Sequence, residues 1–412
     1  MTLLLVSLVV FGQYSNPKSA TVLKQRMDSL ENNYWNSSSE VWASSKYHYA
    51  YDASGQMTFY YSTYTDIGTG EVIGEERYEY SYNADGSGNQ TRYVRYDWDN
   101  AGEQWIRRDS SYNTYNDEGL LTEYSGFKWE SDQWIIRYFS KYSYEQHGWL
   151  SKHISRMWYE ADQEWKNNIK FVYAWNEQGE LLTKTRFDQE VYDGPWLEEY
   201  RLEHIYNIED QLTTTNSASW ITGAWEIYQT DTMSYNAAGL LAENLGYYLD
   251  EGSMRPNFRD EYSYDASGNL TEYIHYYWNT TASSLELYTK NLYSYDPGYS
   301  MTDILLPGED AEWDNDHFPE LISNMPLGLE VFDWENESWQ DYKKTDYFYS
   351  EMEVTGLAEG ERELARVRLF PNPVNDLLRV ALPEGSTSAT LTLYEITGRQ
   401  VLRRQLDAGA SL

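Results

Sequence analysis

Apolar and polar residues alternate along this chain in runs of about ten residues, and the runs recur. Between Trp134 and Tyr144 one side reads Trp134, Ile136, Tyr138, Ser140, Tyr142, Tyr144. The other reads Ile135, Arg137, Phe139, Lys141, Ser143. A period of two predicts a β-strand with one aromatic face and one wetter face. Such runs end in a repeated signal: an aromatic, then Asp or Asn, then Gly. The aromatic stands at Tyr51, Tyr82, Tyr115, Tyr144, Trp175, Tyr206, Tyr235, Tyr264 and Tyr295, at intervals of 29 to 33 residues, and again at Tyr349 after an insertion. Asp or Asn follows it everywhere in the first nine except at Glu145, and Gly lies four residues on at 55, 86, 119, 148, 179, 239 and 268. Asp or Asn opening a turn, with Gly in the left-handed region at its end, is hairpin chemistry.

A second turn lies midway. Trp129 and Trp134 bracket one such turn, Trp220 and Trp225 another; Trp98/Trp105 and Trp158/Trp165 bracket longer ones. Trp105, Trp134, Trp165, Trp196, Trp225 and Trp339 each precede an aromatic anchor by ten residues, an even number, so tryptophan and anchor are expected on one face. Each period of about 30 residues then holds two strands, and the whole region on the order of twenty. The predicted fold is all-β: an elongated, twisted antiparallel sheet of hairpin repeats, since open sheets beyond about ten strands twist or curl. Met27–Trp35 is expected to be an incomplete first unit capping one end.

Composition narrows the class. Aromatic residues make up 17% of 412, with 41 Tyr and 17 Trp, so amphipathic rings must supply most of the packing. The formal charge of −35 makes nucleic acid a poor partner. No cysteine is present, which removes disulfides and thiol chemistry. The apolar stretch Leu3–Phe11 is too short to span a bilayer and fits the core of a signal peptide over residues 1–12, with the basic start expected upstream of Met1. No segment reads as an integral membrane span. The repeat region is expected over 13–353 and a linker over 354–365.

Two stretches carry resemblances. Tyr262-Ser-Tyr264-Asp265-Ala-Ser-Gly268-Asn269-Leu270-Thr271 resembles the YD repeat of Rhs-type and wall-associated bacterial proteins, whose hairpins build curled sheets. The period here is longer than that family's, and the tryptophan turn is a departure. Residues 366–412 resemble the C-terminal sorting domain of type IX secretion cargo. The resemblance rests on Phe370-Pro371-Asn372-Pro373, then Leu377, Leu378, Val380, Leu391–Tyr394 and Gly398-Arg399-Gln-Val401. The alternating strands of the same residues predict a partial β-sandwich. The resemblance implies handling by the type IX secretion machinery and display on, or release from, the cell surface. The family pattern continues past Leu412, so a truncated domain is expected.

No catalytic constellation stands out. The six histidines are scattered, and no nucleophile elbow or phosphate loop is present. The acidic run Glu309, Asp310, Glu312, Asp314, Asp316 lacks the glycine-punctuated loop of a calcium site and reads as solvated. No cofactor or metal is expected. Periodic tryptophans read as architecture, whereas an aperiodic aromatic in a long loop reads as a contact. The insertion at about 296–333 offers Trp313, His317, Phe318 and Met325 as a candidate binding patch. The expected function is a non-catalytic binding or adhesion protein facing a surface protein or glycan. The alternatives are a carbohydrate-binding accessory protein and, third, an enzyme.

Overall fold

The computed structural model describes residues 4–9, 22–36, 41–65, 69, 71–84, 87–159, 164–189, 194–307, 323–354, 368–370, 379–381, 388–395 and 400–407. The chain divides into two compact units: Lys24–Asp52 with Gln56–Met352, and Met1–Leu23 with Ala53–Gly55 and Glu353–Leu412.

In the larger unit the predicted hairpins are present, and the turn chemistry explains them. Asp265 opens its turn with its own carboxylate: Oδ1 accepts from the backbone N–H of Ser267 (2.8 Å) and Asn269 (3.0 Å). The main chain closes the loop with Gly268 N–H to the Asp265 carbonyl (3.1 Å) and Asp265 N–H to the Asn269 carbonyl (2.9 Å). Gly268 sits at φ +85°, where a side chain would be strained. Asn116, Asn176, Asn207 and Asn236 repeat the arrangement. Where the repeat lacks its glycine, Asp210 takes the left-handed place at φ +60°. Position 86 lies outside the described residues; in that longer turn Gly88 holds φ +73°.

The anchor aromatic ties each hairpin to its predecessor. Tyr82 Oη donates to the Met57 carbonyl (2.5 Å), Tyr144 to Leu121 (2.7 Å), Tyr235 to Leu212 (2.7 Å) and Tyr295 to Leu270 (2.8 Å). Trp175 stands where a tyrosine would and does the same through its indole N–H, 2.8 Å from the Leu150 carbonyl. The repeated polar tip therefore satisfies a backbone acceptor while the ring is buried, which is why the position is aromatic with a donor and not aliphatic.

The expected open, elongated sheet is corrected by the ends. Twenty long antiparallel strands and the two-residue strand Ile304–Leu305 form a closed barrel, because the first strand, Val22–Asn36, pairs with the last, Ser338–Val354. These two strands, of 15 and 17 residues, are longer than the 9 to 12 usual between them. Met27 to Trp35 is thus one side of a seam and not a cap. Thr345 Oγ1 donates to Asn32 Oδ1 at 2.6 Å in a buried contact. Arg26 Nη2 donates to Ser350 Oγ (3.1 Å), and the Lys343 ammonium lies 5.1 Å from the Tyr34 ring centre. The best-buried cluster lies around this seam: Met27, Leu30, Tyr60, Leu270, Leu329 and Tyr347. Closure removes both unpaired strand edges, each a row of unsatisfied donors and acceptors.

In the smaller unit Leu4–Val9 pairs antiparallel with Ser388–Glu395, which pairs with Gln400–Asp407. Arg368–Phe370 pairs with Arg379–Ala381. The described tail is therefore a three-stranded sheet and a separate two-stranded ladder. This replaces the expected partial β-sandwich, because the apolar N-terminal stretch supplies an edge strand to the tail's own hairpin.

Candidate binding groove on the tryptophan face

The register separates tryptophans from tyrosines. Gly126 pairs with Tyr138, and its neighbour Phe127 pairs with Ile136, so Arg137 is an extra residue in its strand. Such a bulge reverses the alternation. Tyr138, Ser140, Tyr142 and Tyr144 keep one face; Trp134 and Ile136 pass to the other, with Phe139 and Lys141. The expectation that tryptophan and anchor share a face is thereby corrected. The same break recurs at Ser217/Ala218, Gly246/Tyr247, His275/Tyr276 and Val331/Phe332.

On the tyrosine face, neighbouring rings pack in a continuous row: Tyr47–Tyr60 at 5.9 Å, Tyr60–Tyr78 at 5.1 Å and Tyr78–Tyr93 at 6.0 Å between centres. Burial pushes the Tyr293 phenol up to about 12. His153 is stacked on Tyr142 (4.5 Å), and burial lowers its pKa, so the ladder holds it neutral. His275 Nδ1 lies 2.6 Å from the buried Asp260 carboxylate, which also accepts from Tyr273 Oη (2.9 Å). Asp260 is thus paired inside the ladder.

On the other face each tryptophan turn closes with a T-shaped pair: Trp129–Trp134 at 5.0 Å, Trp98–Trp105 at 5.3 Å, Trp220–Trp225 at 5.1 Å and Trp334–Trp339 at 5.0 Å. Cations from neighbouring strands lie over the rings, among them Arg77 at 4.3 Å from the Tyr96 centre and Lys290 at 4.9 Å from that of Trp339. Between the strands Val72–Tyr82 and Gln133–Tyr144 this face opens into a groove of about 390 Å³. Val94, 8% exposed, is a buried apolar residue of its lining. Tyr96, Trp129 and Trp134 supply ring surfaces; Arg92, Arg107 and Glu79 supply charge. Arg107 lies 4.9 Å from the Trp129 ring centre, and Tyr96 Oη donates to Glu79 Oε2 (3.3 Å). Flat aromatic planes beside fixed donors and acceptors suit a small polar ligand with an apolar ring face.

The residues singled out in the insertion lie elsewhere. Trp313, His317, Phe318 and the acidic run Glu309–Asp316 fall outside the described residues, as do Pro371, Asn372, Pro373, Gly398 and Arg399. Met325 is 5% exposed and pairs with Asp296, a core position. The described margins of the insertion pack into the barrel: Ile304 is buried and pairs with Gln25, and Asn269 Oδ1 accepts from the backbone of Ser323 (2.9 Å) and Asn324 (3.0 Å). Arg92, Arg107 and Tyr96 were not found from sequence. Their signal is positional: Arg92 faces Ser81 and Tyr112, and Arg107 faces Tyr96, none of them acidic, which is visible only once the register is known.

Among known families, the profile described as the secretion system C-terminal sorting domain matches residues 368–411. This stretch is a type IX sorting domain. It makes the protein a secreted or cell-surface protein handled by the type IX secretion machinery. No curated protein matches the chain. Among solved structures it is similar to a porin-like protein from Bacteroides uniformis (11% identity, TM-score 0.29, 79% of this chain and 98% of that one). It is also similar to the Photorhabdus luminescens Tc holotoxin pore (10% identity, TM-score 0.26, 88% and 18%) and to a DUF3836 family protein from Parabacteroides distasonis (11% identity, TM-score 0.19, 30% and 87%). Likenesses this weak assign no function. Among the described residues no helix is long and apolar enough to cross a membrane.

Proposed function

We propose that this is an exported, non-catalytic binding protein that works in adhesion, with residues 1–12 as its export leader and a barrel made of YD-type hairpins. The observation that carries the binding role is the groove beside Trp129 and Trp134. It joins aromatic planes to charged groups on a rigid sheet, where a site is held better than on a loop. The same groove favours carbohydrate binding as a second reading, since indole and phenol planes stack on the C–H faces of sugars. The test is attachment. Type IX-competent cells with and without the gene are compared on immobilised mucin and on immobilised matrix protein. Attachment that falls severalfold on deletion and returns with the intact gene supports the reading. Unchanged attachment, with purified full-length protein that cleaves a substrate in a glycan panel, contradicts it.

A further inference from the structure

Carboxylates outnumber cations on this chain, with 66 acidic against 31 basic residues. Nine of the described arginines, Arg95 and Arg259 among them, lie within ion-pair distance of a carboxylate. Arg92 and Arg107 do not, among the described residues. Arg92 donates Nε to Ser110 Oγ (3.3 Å) and lies 5.4 Å from the Tyr112 ring centre; Arg107 lies against Trp129. Both line the one groove described above. Glu79, the carboxylate of the same lining, is taken up by Arg77 (3.2 Å) and Tyr96 (3.3 Å), so the two guanidinium groups keep donors available to an external anion.

We infer that the groove binds a saccharide carrying an isolated carboxylate, a uronic acid residue within an otherwise neutral glycan. This rests on the binding reading above and names its ligand class. The sugar's C–H face would lie on Trp129, Trp134 or Tyr96. Glu79 and Ser81 would take hydroxyls, and the carboxylate would meet Arg92 and Arg107 in the fork geometry that guanidinium offers. The charge must be sparse: a formal −35 repels a polyanion along its length, whereas one carboxylate between two arginines feels the local field.

The test is calorimetric titration of the full-length protein with a glucuronate-containing disaccharide. The comparisons are the same sugar with its carboxyl reduced, an otherwise neutral disaccharide carrying one sulfate, and polygalacturonate. The acidic disaccharide should bind at least about tenfold tighter than the reduced one, and the advantage should shrink with salt. The Arg92→Ala/Arg107→Ala double variant should lose that advantage. Arg108→Ala, which removes the arginine next to Arg107 that is paired with Asp97 (2.7 Å) of the neighbouring strand, should keep it. Circular dichroism confirms that both variants fold. Equal binding of acidic and reduced sugars overturns the proposal, as does preference for the sulfated sugar or for polygalacturonate, or equal loss in Arg108→Ala. If no saccharide binds while attachment still depends on the gene, the ligand class is wrong and the adhesion reading stands. If neither is seen, both fall.

Discussion

Thr345 donates its hydroxyl to the Asn32 side-chain oxygen at 2.6 Å, across 313 residues of sequence, in a buried contact between the last barrel strand and the first. Asn32 is 6% exposed and Thr345 2%. Thr345→Val keeps the shape and leaves the Asn32 oxygen without this donor. The expected loss is about 1–3 kcal/mol of stability, read as a lower urea midpoint. Asn32→Val combined with Thr345→Val should recover much of it, because neither polar group is then stranded.

The turns give a second expectation. Gly268→Val places a β-branched residue at φ +85° and should cost about 1–2 kcal/mol. Asp210→Gly should do the reverse, raising stability by up to about 1 kcal/mol, because Asp210 already occupies that region. Denaturant melts of the two variants against the parent check both signs. A destabilised Asp210→Gly would mean that the carboxylate has a role beyond the turn.

Asn269 is 1% exposed and serves two partners at once: it completes the Asp265 turn and receives the chain returning from the insertion at Ser323 and Asn324. Asn269→Ala should release those two amides. Their hydrogen exchange should speed up well ahead of amides in the strand Leu270–Asn279, with a stability loss of about 2–3 kcal/mol.

Alkaline pH tests the tyrosine face. Burial raises the Tyr293 phenol to about 12, from an ordinary 10.0. Burial also raises Tyr51, Tyr93, Tyr273 and Tyr349. A raised phenol pKa means that the folded state holds its proton where the unfolded chain has lost it. This stability is therefore fully present below pH 10 and falls as pH rises toward about 12. Phenolate absorbance should rise late and together with unfolding. An early, gradual rise with the fold intact would contradict the burial of the ladder.

Much of this architecture was legible in the sequence, and the missing parts share a cause. The Asp265–Gly268 turn, the Trp129–Trp134 turn and the aromatic anchors are local chemistry repeated many times, so spacing reveals them. The bulge at Arg137 carries no residue signature, and without it Trp134 counts onto the wrong face. Pairing of Val22–Asn36 with Ser338–Val354 is a contact between sequence extremes that no period announces. The groove inherits both difficulties: Arg92 and Arg107 join Trp129 on one face only after the register is corrected. The insertion, conspicuous as a break in the repeat, drew attention to Met325, which the fold buries.

Closure of the barrel is open to direct test, because the sequence holds no cysteine. Asn32→Cys and Thr345→Cys are introduced together and the full-length protein is oxidised at low concentration. In the closed barrel the two positions face each other and an intrachain disulfide forms in the monomer, seen as a mobility shift that reductant reverses. A disulfide needs Cα atoms within about 7 Å. An open sheet of twenty strands would hold its edges about 90 Å apart. Free thiols, or cross-links only between molecules, would show an open ribbon and contradict closure.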